Sequence, residues 1–202
     1  TSDFMKEVEL EYGLTLENFE ERWLNQKAFQ SRESLRYLKK NKFIQDYMKL
    51  VAFRETRLTF KTERLDEALD FPVNDYLGQE AVYQLSSEDL KLALPLYKKA
   101  LETNNLYVRQ AIANSLSSVP RALKTDYETL LDDESYTTIE KALLHLWMSF
   151  PEDRHRYLDQ TSDIIGFQDK NVKLLWLTLN LATPDYKPNE KSTVFSELSS
   201  HS

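Results

Sequence analysis

The chain has 202 residues, of which 41% are hydrophobic and 29% are charged, a composition typical of a globular domain with a core. Its formal net charge of −7 weighs against nucleic acid as a partner, because a phosphate backbone requires a basic surface. The lack of cysteine excludes disulfides, thiolate metal ligands and cysteine nucleophiles, and no apolar run is long enough to span a membrane.

Turn-forming residues are scarce, with only three glycines and six prolines. A sandwich or barrel of short strands needs a turn signal every 8–12 residues, so helices joined by short loops are favoured instead. The chain begins Thr-Ser-Asp without an initiator Met, and we therefore expect a piece of a longer protein or a processed one.

Three amphipathic patterns come first in the chain, and each predicts a helix. They cover residues 14–27 (with Thr15 as the cap), residues 34–53 and residues 62–70. Residues 71–75 are predicted to be a loop. Because these patterns do not share the spacing found further on, residues 1–73 are interpreted as an N-terminal helical segment that caps the remainder or links it to a catalytic domain.

A period of 31 to 33 residues governs residues 74–202. Equivalent positions in four units hold Leu77, Val108, Ile139 and Val172. From each of these residues, apolar residues recur at helical spacing along one face. Twelve residues after the last three markers stand Pro120, Pro151 and Pro184, whereas the first unit has Asp89, which is predicted to be a helix N-cap.

Each proline is predicted to open a second helix, because the N–H that proline lacks would be unpaired in a first helical turn. Pro95 is expected to kink the second helix of the first unit or to delay its start. Repeated helix–turn–helix units predict an all-α fold, an α-α superhelix in the form of a short HEAT-like solenoid of paired antiparallel helices.

No residue pattern predicts catalysis or metal binding. The histidines, His145, His155 and His201, lack the spacing of zinc ligands. His145 is predicted to be a packing or surface residue, and His155 to be solvated. The acidic residues 132–134 lack the alternating ligands of an EF-hand loop and are predicted to form a solvated turn.

Several aromatic residues are candidates for a binding surface. Second helices of a solenoid can line a concave surface that binds peptides or partner domains. The candidate groove or interface residues are Tyr97, Tyr127, Arg154 and Tyr157, and Tyr136 also falls on a second helix or turn. Ordinary packing remains the alternative for each tyrosine. Trp23, Trp147 and Trp176 lie on apolar stripes and are predicted to be core residues.

Several longer strings carry a family resemblance. They are GQEAVYQL at residues 78–85, NLYVRQAIA at 105–113, SFPED at 149–153, DKNVKLLWLTL at 169–179 and TPDY at 183–186. These strings resemble the C-terminal helical region of bacterial zinc aminopeptidases of the aminopeptidase N family. The likeness extends from about residue 14 to the end of the chain.

The resemblance implies a non-catalytic domain that packs on the catalytic domain of the same polypeptide and shapes a chamber for peptide substrates. Zinc is expected in the parent enzyme and not in this chain, because the His-Glu-x-x-His and Gly-x-Met-Glu-Asn motifs of the family are absent here. The parent would be a bacterial protein of the cytoplasm or the cell envelope. The alternatives are a free-standing HEAT-like scaffold that binds a protein or peptide, and a helical enzyme with an unrecognised site.

Overall fold

The computed structural model describes residues 2–13, 15–16, 18–25, 27–28 and 31–201. Regular secondary structure in these residues is helical, with no strand among them, which confirms the all-α fold. None of the described helices is both long and apolar enough to cross a membrane. The chain forms two compact units, Thr1–Asp46 and Tyr47–Ser202. The division at residue 73, which rests on the repeat spacing, stays a prediction.

The first unit contains helices α1 (Ser2–Tyr12) and α2 (Ser31–Leu38) and the start of α3 (Lys42–Val51). Where the sequence predicts a helix over residues 14–27, the structure has a π-helical turn, Glu20–Leu24, and Thr15 and Leu16 are not helical. The predicted start of this helix is therefore wrong, and the described helical part is limited to the turn Glu20–Leu24 and the residue before it. Leu14 and the side chain of Trp23 lie outside the described part of the chain.

The single helix predicted over residues 34–53 is two helices, α2 and α3, separated by residues 39–41. The side chain of Asn41 accepts a hydrogen bond from the backbone N–H of Ile44 at 3.4 Å. It therefore pairs one of the backbone N–H groups that have no partner within the first turn of α3. An asparagine that bonds to the backbone in this way competes with helix continuation. The hydrophobic pattern continues across this break, which is why periodicity alone did not reveal it.

The described part of the second unit, residues 47–201, continues through nine further helices. They are α4 (Leu58–Ala68), α5 (Asp75–Leu85), α6 (Leu90–Glu102), α7 (Leu106–Ser115), α8 (Lys124–Glu128), α9 (Tyr136–Ser149), α10 (Arg154–Thr161), α11 (Asn171–Leu181) and α12 (Lys191–Ser199). Short 3-10 turns, Arg121–Leu123, Thr129–Asp132, Pro151–Asp153 and Pro188–Glu190, precede or follow some of them.

Side-chain caps fix the starts of several helices. Asn74 and Asn105, which are 31 residues apart, each accept hydrogen bonds from two backbone N–H groups at the starts of α5 and α7. Asp89 does the same for α6, bonding the N–H of Lys91 at 2.9 Å, so its predicted role as N-cap is confirmed. Because this cap sets the start, α6 runs from Leu90 through Pro95, and the predicted late start is wrong.

The first helices of the four sequence repeats form a row, in which α5 packs on α7, α7 on α9 and α9 on α11. Three of the residues that mark the start of a repeat are buried, as the apolar stripe of each helix predicts: Val108, Ile139 and Val172. Leu77, which marks the first repeat, is partly buried. Gly78 allows α5 and α7 to approach closely. A Cβ on this residue would lie 2.3 Å from Cγ2 of Val108.

The second segments pack beside this row: α6 contacts α5 and α7, α10 contacts α9 and α11, and α12 contacts α11. Pro120 and Pro151 stand at the start of the turns that lead into α8 and α10, as predicted. Pro184 does not open a helix, because the chain first buries Tyr186, whose hydroxyl donates to Asp159 Oδ1 at 2.7 Å. Helix α12 starts after the turn Pro188–Glu190 instead.

Candidate functional site

Three of the four predicted groove residues are core residues. The side chains of Tyr97, Tyr127 and Tyr157 are at most 1% exposed. Burial raises the pKa of each phenol, and the Tyr157 hydroxyl donates to Glu128 Oε1 at 2.7 Å. These tyrosines therefore belong to the packed interior and do not line an open groove.

Arg154, the fourth predicted residue, ties the start of α10 to the end of α9. Its guanidinium carbon lies 3.7 Å from the ring centroid of Trp147, and its Nε donates to the backbone carbonyl of that residue at 2.9 Å. Trp147 in turn donates from Nε1 to Thr183 Oγ1 at 2.9 Å. These contacts give Arg154 a packing role. Tyr136 is partly exposed and meets Phe167 edge to face.

His145 is a buried packing residue, in agreement with the sequence. Its side chain is 8% exposed, and Nδ1 lies 3.1 Å from the hydroxyl of Tyr127. Burial lowers the pKa of His145, and the positive charge of Lys141 lowers it further. The imidazole is therefore neutral at neutral pH. His155 is half exposed, as predicted, and contacts Asp185 at 3.0 Å.

Acid is expected to destabilise the fold through His145. Above its ordinary pKa of about 6.5, the histidine is neutral in the folded and unfolded chains alike, and stability has its full value. As the pH falls below this value, the unfolded chain takes up the proton first, so the free energy of unfolding decreases. Each tenfold difference in proton affinity is worth about 1.4 kcal/mol. Urea unfolding between pH 7.5 and about 5.5 measures this slope.

The variant His145→Asn is expected to lose much of this pH dependence, since asparagine keeps a polar atom near Tyr127 and does not titrate. His155→Asn is the matched control, because it removes a histidine whose side chain is half exposed. Glu80 also titrates with a lowered pKa, but at a more acidic pH. An unchanged slope in His145→Asn would contradict the assignment of this acid sensitivity to His145.

Ion pairs in which one partner is buried join segments that are distant in sequence, and the sequence analysis missed them. Arg109 Nε lies 2.6 Å from Asp133 Oδ2, and the Asp133 side chain is only 3% exposed. The prediction of a solvated turn at residues 132–134 is therefore wrong for Asp133. Arg54 binds both carboxylate oxygens of Glu80 at 2.8 and 2.6 Å, and Lys61 pairs with Glu88 at 2.8 Å.

Half of the residues that line a cleft of about 630 Å³ beside Arg109 carry carboxylates. Several of these already have partners: Asp133 binds Arg109, and Asp132 accepts a hydrogen bond from Gln160 at 2.9 Å. Among the described residues, no cluster of three or more His, Asp or Glu side chains could hold a metal ion. The cleft beside Arg109 is therefore not the candidate site.

A second groove, of about 720 Å³, lies over the exposed face of α5 and α7 and is the candidate site. We call it the tyrosine–glutamine groove. Its exposed or partly exposed side chains are Tyr76, Gln79 and Tyr83 on α5 and Tyr107, Gln110 and Asn114 on α7. The guanidinium carbon of Arg54 lies 4.9 Å from the ring centroid of Tyr83 and forms part of one wall.

The charges of the tyrosine–glutamine groove cancel within it. Burial would raise the pKa of Glu80, but hydrogen bonds from Arg54 and Gln84 outweigh burial and lower it. Glu80 is therefore ionised at neutral pH and neutralises Arg54. What remains for a ligand is a set of aromatic rings and side-chain amides without net charge.

Sequence reasoning missed this groove because its residues lie on the polar side of the helices, opposite the apolar stripe. A signal was present in the repeat spacing: Tyr76 and Tyr107 are 31 residues apart, and so are Gln79 and Gln110. Comparisons with models of known protein families, with curated proteins and with solved structures found no match to this chain.

Proposed function

We propose that this chain is a non-catalytic helical domain, a short HEAT-like solenoid that offers an extended surface to a protein or peptide. The observation that carries the proposal is the row α5, α7, α9 and α11, in which equivalent helices pack on one another in chain order. Stacked helical units build a long, rigid wall rather than an enclosed cavity. Such a wall suits support and binding better than chemistry.

We further propose that the parent protein is a zinc aminopeptidase of the aminopeptidase N family. In this proposal the chain is its C-terminal helical domain, packs on the catalytic domain and shapes the chamber that receives peptide substrates. The support is the sequence resemblance, whose longest strings fall on α5, α7 and α11 and their caps. The zinc ion would be held by the catalytic domain, so this chain is expected to need no metal.

The test is a peptidase assay on the 202-residue chain with a panel of fluorogenic aminoacyl amides, with and without added zinc. We expect no release above background in either condition. Zinc-dependent release of an N-terminal residue would overturn the proposed non-catalytic role. The DNA upstream of the Thr1 codon supplies the second half of the test, because a zinc aminopeptidase of this family would encode a His-Glu-x-x-His helix there.

The alternative is a free-standing scaffold that binds a protein or peptide. The observation that favours it is the tyrosine–glutamine groove, because exposed tyrosines and amides are typical of binding surfaces. A stop codon or a signal sequence directly upstream of Thr1 would decide for this scaffold and against the aminopeptidase.

A further inference from the structure

We propose that residues 31–42, which are helix α2 and the turn that follows it, dock on the surface of a bilayer that contains anionic lipids. We call these residues the basic segment. This goes beyond the proposed function by assigning a second interaction surface and its partner, and it does not depend on the aminopeptidase resemblance. The basic segment belongs entirely to the first compact unit, Thr1–Asp46.

The first argument is a local reversal of charge. The basic segment holds five basic residues and one acidic residue, a net charge of +4 in a chain whose net charge is −7. The exposed basic residues are Arg32, Arg36, Lys39, Lys40 and Lys42. Lys42 pairs with Asp46 at 2.6 Å, whereas Arg32, Arg36 and Lys39 form no ion pair with a described residue. Their charge is therefore available to an anionic partner.

The second argument is that apolar side chains stand among these charges. Leu35 and Leu38 are 39% and 49% exposed, and their spacing of three residues places them on one face of α2, of which no residue is buried. Lys40 Nζ lies 5.1 Å from the ring centroid of Tyr37, which is also exposed. A helix that combines leucines on one face with cations beside them is typical of helices that lie in the headgroup region of a bilayer.

The third argument is that the backbone of the turn is held within the chain. The backbone N–H groups of Lys39, Lys40 and Asn41 donate to carbonyls of α2 at 2.9, 3.0 and 2.9 Å. Gln45 Nε2 donates to the carbonyl of Lys39 at 2.7 Å. Adjacent lysines are thus presented together by an ordered turn, so binding does not have to order the backbone first.

A lipid surface fits the basic segment better than a nucleic acid or a folded protein does. A phosphate backbone would attract the cations but would leave Leu35 and Leu38 in water. A folded partner needs a closely packed interface core, whereas no described residue of the first unit is buried and its exposed apolar side chains are spread over α1 and α2. A bilayer surface accepts dispersed leucines and cations without such shape complementarity.

The negative charge of the whole chain does not prevent this docking. Salt screens charges that lie more than about 8 Å apart at physiological ionic strength, so the cations nearest to the headgroups set the attraction. Each lysine or arginine close to an anionic leaflet strengthens binding about fivefold. Several cations in one short segment therefore suffice for a salt-sensitive attachment.

The experiment is cosedimentation of the 202-residue chain with sucrose-loaded vesicles in about 0.1 M salt. One set of vesicles is phosphatidylcholine alone, and the other contains about one-third phosphatidylserine. We expect binding to the phosphatidylserine vesicles to be at least about tenfold stronger, because only they attract the basic segment. Raising the salt to about 0.5 M should release most of the bound chain.

Variants then locate the binding. Lys39→Gln/Lys40→Gln should weaken it at least about tenfold, and Leu38→Gln should weaken it at least about threefold, because glutamine does not enter the acyl boundary. Lys91→Gln/Lys98→Gln is the matched control: it removes two exposed lysines from α6, changes the net charge equally and should leave binding unchanged. All of these side chains are exposed, so the thermal unfolding of each variant should stay close to that of the parent chain.

Four results would overturn the docking proposal. Binding to phosphatidylserine vesicles no stronger than to phosphatidylcholine would leave the surface to a protein partner, and tighter binding to oligo(dT) than to vesicles would assign it to nucleic acid. An equal loss in the α6 control would show that only the net charge matters, and full binding of Leu38→Gln would exclude insertion of the helix. The peptidase assay is unaffected by all four, so the proposed non-catalytic role stands or falls separately.

Discussion

Replacement of Arg109 by methionine is expected to lower the free energy of unfolding by about 3–5 kcal/mol, because it leaves the buried carboxylate of Asp133 without its charged partner. Arg109 Nη1 also donates to the carbonyl of Leu101 at 2.8 Å, and Nη2 donates to that of Thr129 at 3.0 Å. One side chain thus joins α7 to the end of α6 and to the turn before α9. Urea unfolding followed by circular dichroism measures the loss.

Two further variants test whether the cost comes from the unpaired charge. Arg121→Met removes an arginine whose pair with Glu152 is exposed, and it should change stability by less than about 1 kcal/mol. The double variant Arg109→Met/Asp133→Leu removes both charges and should recover much of the stability lost in Arg109→Met. If the double variant is less stable than the single one, Asp133 is not the source of the cost.

The features that the sequence predicted correctly depend on residues close together in the chain. An aspartate that caps a helix, such as Asp89, bonds N–H groups two and three residues ahead. An apolar stripe such as that of α7 needs only helical spacing to be recognised. The burial of Val108 and the N-cap at Asp89 are confirmed for this reason.

The features that the sequence did not predict depend on pairs that are far apart in the chain. Arg109 and Asp133 are 24 positions apart, and no local pattern marks either residue as buried. The tyrosines show the same difficulty, because a tyrosine on an amphipathic helix fits the core and an exposed groove equally well. The structure places Tyr97 and Tyr157 in the core and leaves Tyr107 exposed.

A second large loss of stability is expected in Glu88→Ala. The side chain of Lys61 is fully buried, and its ammonium group has two partners: Glu88 Oε1 at 2.8 Å and the carbonyl of Arg54 at 3.1 Å. Removal of the carboxylate leaves a buried positive charge with a single neutral acceptor, while Glu80 stays engaged with Arg54. We expect the free energy of unfolding to fall by about 3–5 kcal/mol.

Lys61→Met is expected to cost much less, although Lys61 is the more deeply buried partner. Methionine fills a similar volume without a charge, and Glu88, at 19% side-chain exposure, keeps contact with water. Glu67→Ala, which breaks an exposed pair with Arg64, is the control and should have an effect below about 1 kcal/mol. A larger loss in Lys61→Met than in Glu88→Ala would show that the lysine stabilises the fold through its own contacts. The order of the two variants therefore decides whether the buried ammonium is a cost that Glu88 offsets or a stabilising group in itself.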